Sequence, residues 1–180
     1  MKINDDHMYH GAALTQIAEH PTFKAVNAFW LNGKKSHAAF RINDTTGIYV
    51  KYAGFPHGQV REYIFTFTKA HLDELALLRE RCTKVFVVLV CIKIKEICVL
   101  SYGQLQQMIN LRKETRAEDE DQYQVLVTAP PNKQFRVYVN RPGRKGVMMG
   151  QQLVARNAFP ELLFVEDTVN EPLLHNAATA

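Results

Sequence analysis

The run VFVVLVCI, from Val85 to Ile92, limits the fold more than any other feature. It is too short for the ~18 apolar residues that a membrane-crossing helix needs. It is also too uniformly apolar, and too rich in β-branched valine, for a strand with one wet face. It reads as a strand buried on both faces. The chain must then supply a covering layer on each side of the sheet that holds it.

The flanking sequence offers those layers. Residues 7–20 read as a helix, with Asp5 or Asp6 as cap, Met8, Ala12, Leu14, Ile17 and Ala18 on its apolar side, and Pro21 as its end. The segment 23–33 fits either the end of a helical hairpin or a strand, with Asn32-Gly33 marking a turn. HAAFRIND and GIYVKYA alternate on either side of Asn43–Gly47 and predict a β-hairpin over 38–53. REYIFTF predicts a third strand with Tyr63, Phe65 and Phe67 on one face. Thr68 can cap a helix over 69–82 whose stripe is Leu72, Leu75, Ala76 and Leu78. A second hairpin spans 84–100. Ser101 with Gln104 then forms a capping box for a helix to about Lys113.

The predicted class is α/β (α+β), a central mixed sheet flanked by helices. A core over 1–113 is followed by an acidic linker, 114–121, and by a basic C-terminal β-hairpin extension, 122–167. A tail over 168–180 is expected to stay disordered. The charge shifts abruptly at the linker. ETRAEDED holds five acids, whereas Gln122 to Pro160 holds none against Lys133, Arg136, Arg141, Arg144, Lys145 and Arg156. Such asymmetry suits a polyanion-binding surface, or a hairpin that pairs with the acidic segment beside it.

The three cysteines, Cys82, Cys91 and Cys98, fit a reducing compartment, and the N-terminus has no apolar stretch resembling a secretory leader. The expectation is a cytoplasmic protein without a membrane span. A hairpin turning near Ile94-Lys95 would set Cys91 roughly opposite Cys98, where small apolar packing is the plain reading. His7 and His10 share a helix face, with Glu19 and His20 further along. His37, His57, His71 and His175 suggest no constellation, so no metal site is read.

The order helix, strand hairpin, strand, helix, buried strand, return strand, capped helix resembles the restriction-endonuclease-like fold. The pieces that carry the likeness are GIYVKYA, similar to a strand ending in that family's catalytic lysine, and HLDELALLRERCTKVFVVLVCIKIKEICVLSYGQL. The resemblance covers Met8 to Leu111. It implies Mg²⁺ held by paired acids, with a lysine activating water. Lys51 matches the lysine. Tyr49 stands in place of the second acid, and Ser36–Ala38 hold no first acid. Glu19, or alternatively Gln16, matches an assisting helix position, and Glu62 on the neighbouring strand is the remaining carboxylate.

Hairpin pairing puts Arg41, Ala39 and His37 beside Tyr49, Lys51 and Ala53, a cationic face that repels Mg²⁺. The expected protein is therefore a nuclease-like module, without a cofactor, that binds DNA, RNA or a nucleic-acid-processing partner through Arg41, Arg136, Arg141, Arg144, Lys145 and Arg156. One alternative is a Mg²⁺-dependent nuclease using Lys51, Glu19 and Glu62. Another is an interaction subunit using FPELLF (159–164) or a sheet edge.

Overall fold

The computed structural model describes residues 2–166. The tail expected over 168–180 lies outside them. Helix α1 (Asp5–Ala18) is capped by Asn4, one residue before the acids expected in that role, and His7 returns the bond to complete a capping box. The segment left open between helix and strand is β1 (Val26–Leu31). Asn32 and Gly33, both at positive φ, turn it into β2 (Lys34–Ile42). Asn43 and Asp44, again at positive φ, turn β2 into β3 (Thr46–Ala53). Thr46 and Gly47 thus belong to the strand and not to the turn.

The chain then leaves this sheet. β4 (Tyr63–Thr68) runs into α2 (Lys69–Arg81), which delivers β5 (Lys84–Cys91) parallel to β3, from Thr46↔Lys84 to Ala53↔Cys91. A 3₁₀ turn at Ile92–Ile94 leads to β6 (Glu96–Ser101), antiparallel to β5. The first sheet has the order β1-β2-β3-β5-β6. Val87 to Leu89 are completely buried, each contributing about 1.5–3 kcal/mol relative to exposure.

α3 (Tyr102–Arg116) starts at the Ser101–Gln104 capping box. Beyond it, β7 (Gln122–Thr128), β8 (Phe135–Arg141) and β9 (Arg144–Val154) form a second sheet. Its order is β4-β7-β8-β9. The fold is α+β, with a mixed and an antiparallel sheet. Two expectations need correction. β4 does not pair with the 38–53 hairpin; its ladder partner is β7, from Tyr63↔Val127 to Thr68↔Gln122. The C-terminal strands number three, not two, because β9 follows the tight turn at Pro142-Gly143.

Of the acidic stretch, residues 114–116 complete α3. Glu120 is half-buried between Arg112 and Arg116, and Arg112 also donates to the Asn140 carbonyl. Those arginines hold the Glu120 carboxyl below its usual range.

The first sheet separates two cores. On one face Ile48, Val50, Phe86 and Val88 pack against Ala13 and Ile17 of α1. Phe159 and Leu163 of the FPELLF segment bury in that same core, and Phe164 stacks on His20 with centroids 3.9 Å apart. On the other face Tyr49, Val87, Leu89 and Leu100 meet α2, α3 and the inner side of the second sheet. Cys91 pairs with Glu96, while Cys98 pairs with Leu89, so the two cysteines are diagonal neighbours and do not oppose each other. Both are buried and unbonded, and burial pushes the Cys91 thiol up to about 12.

Candidate functional site

Alternation along β3 fixes where its chemistry can lie. Ile48 and Val50 face α1, so Tyr49 and Lys51 face α2 and the second sheet. The hairpin register Ala39↔Tyr49 and Arg41↔Gly47 places Ala39 and Arg41 on that same side. The α2 face is not devoid of carboxylates, as the strand pattern alone suggests. His71 and Glu74, three apart on α2, both reach β3. Glu74 Oε2 accepts the Tyr49 hydroxyl at 3.0 Å, and Lys51 Nζ lies 3.4 Å from His71 Nδ1. Lys51 also sits 5.3 Å from the centre of the Phe67 ring.

His71 has a second duty. It is the third residue of α2, and its Nδ1 accepts the Thr68 backbone N–H at 3.2 Å while Thr68 Oγ1 accepts the His71 N–H. This reciprocal box assigns the Nδ1 lone pair to acceptance and the ring proton to Nε2. Burial, then the Lys51 charge, lowers the imidazole pKa. Burial likewise lowers that of Lys51, partly offset by Glu74. The Tyr49 phenol is raised, first by burial and then by Glu74.

The pH consequence follows directly. Unfolded His71 takes up its proton near the ordinary value of 6.5, whereas the folded ring resists until lower pH. Above 6.5 the difference costs nothing. As pH falls through 6.5, the unfolded chain binds more protons and stability declines. His71→Gln keeps a side chain suited to the capping box but does not titrate. Urea midpoints should therefore fall less between about pH 7 and pH 5 in His71→Gln than in the wild type. His10, also lowered by burial, keeps the variant's slope above zero. Parallel pH profiles in the two proteins would dismiss this role.

The cluster borders a groove of about 680 Å³ between the β1–β2 hairpin and α2. Lys34, Lys35 and His37 line one side and His71, Asp73 and Glu74 the other. Lys34 and Lys35 are exposed and have no ion pair among the described residues. Asp73 is taken by Lys69 at 2.8 Å, and Glu74 by Tyr49.

The other sequence candidates are dispersed. Glu19 is the exposed C-cap of α1, on the opposite face of the sheet from Lys51. Glu62 belongs to the second sheet's side, where it bridges to His57 and accepts the Tyr138 hydroxyl at 2.5 Å. The structure brings neither to Lys51. The oxygens beside Lys51 also do not suit Mg²⁺, which needs several at about 2.0–2.1 Å. Only the Glu74 carboxylate joins the cluster, and it is engaged. Among the described residues no trio of His, Cys, Asp or Glu is disposed to hold a metal.

The cations divide into several groups. Arg41 pairs with Asp44 at 3.5 Å on the surface. Arg141, Arg144 and Lys145 are exposed at the β8–β9 turn and unpaired among the described residues. Arg136 lines a separate pocket near the start of β4. Arg156 is committed to the protein itself: it pairs with Glu96, donates to the Lys133 and Pro130 carbonyls at 2.8 Å each, and lies 4.4 Å from the Phe135 ring centre.

The sequence did contain a signal for His71 and Glu74. They are spaced i, i+3 beside the apolar stripe of the helix that lies in the connection between the parallel strands β3 and β5. Comparison with protein-family models, curated proteins and solved structures returned no match.

Proposed function

We propose that this chain is a nuclease-like module that binds the phosphate backbone of a nucleic acid without cleaving it. One observation carries the reading. The groove beside Lys51 has Lys34 and Lys35 free at its rim, while both of its carboxylates are engaged. A surface of that kind attracts a polyanion and offers little to a hard cation. With β1 added before the 38–53 hairpin, the order of elements from α1 to α3 supports the restriction-endonuclease-like resemblance, in which Lys51 is the match to the lysine. The acids that would complete that chemistry lie elsewhere. The exposed Arg141, Arg144 and Lys145 give a second cationic surface that can add phosphate contacts.

Fluorescence anisotropy with labelled single- and double-stranded oligonucleotides tests this. Affinity should fall steeply as salt rises, and the oligonucleotides should survive incubation with Mg²⁺. Lys34→Glu with Lys35→Glu should weaken binding by about tenfold or more, since two phosphate contacts become two repulsions. The melting temperature should stay near that of the wild type, because neither side chain is buried. Absence of binding at low salt defeats the proposal. Mg²⁺-dependent cleavage lost on Lys51→Met would replace it with a nuclease.

A further inference from the structure

A second pocket, distinct from the groove, opens at the start of β4. Its volume is about 450 Å³. Arg61 and Arg136 stand in its lining, and neither guanidinium has a hydrogen bond or ion pair among the described residues. Tyr63 lines it too, with the residue 1% exposed. The Tyr63 hydroxyl is sealed behind this lining, beside the Ile94 backbone amide. Gln59 and Thr128 add polar edges, and the rest of the lining is apolar, chiefly Pro56, Pro130 and Pro131 with Val60 and Ile94 exposed to solvent at 56% and 36%.

Charge and shape together select the ligand class. Two free guanidinium groups match a dianion, and their forked donors suit the oxygens of a phosphomonoester better than a single carboxylate. Proline and branched aliphatic surfaces accept a planar ring, and the volume falls in the range of small-molecule sites. We infer that this pocket binds a free nucleoside monophosphate, the phosphate between Arg61 and Arg136 and the base against the proline wall. The site is independent of the Lys34–Lys35 groove.

Calorimetric titration of the full chain with AMP and UMP is the test. Saturable binding of at least one nucleotide is expected below about 1 mM. Adenosine or uridine alone, and inorganic phosphate alone, should each bind at least about tenfold more weakly, since each keeps only half of the contacts. Arg61→Ala and Arg136→Ala should each weaken the nucleotide by about tenfold or more, the loss expected for a charge-assisted hydrogen bond. Arg61 is exposed, so its variant reports binding even where Arg136→Ala perturbs folding.

Lys34→Glu with Lys35→Glu should leave nucleotide binding intact, which separates this inference from the groove. The assignment is overturned by absence of saturable binding, by nucleotide affinity indifferent to both arginine substitutions, or by inorganic phosphate binding as tightly as the nucleotides.

Discussion

Gly47→Val is expected to remove more than about 3 kcal/mol of the fold's stability. A Cβ at Gly47 would stand 2.7 Å from Leu78 Cγ, 2.9 Å from Leu78 Cδ1 and 3.1 Å from Cys82 Sγ. Leu78 is completely buried in α2 and cannot swing clear. Gly47 is itself held in the β3–β5 ladder opposite Val85, so the strand cannot retreat. Overpacking of this kind costs about 1–3 kcal/mol, which is the expectation for Gly47→Ala. Valine adds two further methyl groups to the same space and should exceed that range. A domain is stable by only about 5–15 kcal/mol, so the loss is a large share of the total. Urea titration gives the number. Gly47→Ala combined with Leu78→Ala should be less destabilised than the sum of the two single changes, because the cavity made at 78 admits the new methyl. A valine variant within about 0.5 kcal/mol of the wild type would show that α2 does not press on this strand.

Arg156→Ala should lower stability by about 2–3 kcal/mol without altering nucleic-acid affinity. The guanidinium ties three parts of the chain together. It pairs with Glu96 at the start of β6, donates to the Pro130 and Lys133 carbonyls in the β7–β8 turn, and lies over Phe135 at the start of β8. The ion pair is partly exposed and adds little by itself. The carbonyl bonds and the ring contact depend on a planar fork, so lysine should rescue poorly. The melting temperature should drop by roughly 5–10 °C. An unchanged melting temperature together with weakened oligonucleotide binding would return Arg156 to the binding surface that its charge alone suggests.

Local signals made much of this fold legible. The Val85–Ile92 run announced β5. The Ser101–Gln104 box announced α3, and the Asn43-Asp44 pair announced its hairpin, because caps and turns are decided by residues a few positions apart. The destination of β4 was not legible. Tyr63, Phe65 and Phe67 show which face is buried, but not which sheet buries it, and the answer rests on β7, far along the chain. β9 escaped notice because its outer half is exposed and glycines at 146 and 150 interrupt its pattern. The acid-free stretch overstated the basic surface, since a composition window cannot see Arg156 meeting Glu96. The Lys51 cluster was half legible: the strand supplied Tyr49 and Lys51, and packing supplied Glu74 and His71.

The detour of β4 has a consequence for how the chain comes together. During synthesis all strands of the first sheet emerge by Ser101, so that sheet can pair while β4, already made, has no strand beside it. Its Tyr63, Phe65 and Phe67 face must wait for β7 to emerge as a partner. A ribosome-bound intermediate halted after α3 would thus expose one unpaired, aromatic strand flanked by finished structure. That edge is the natural target for a chaperone, and the first point at which two nascent copies would stick to each other.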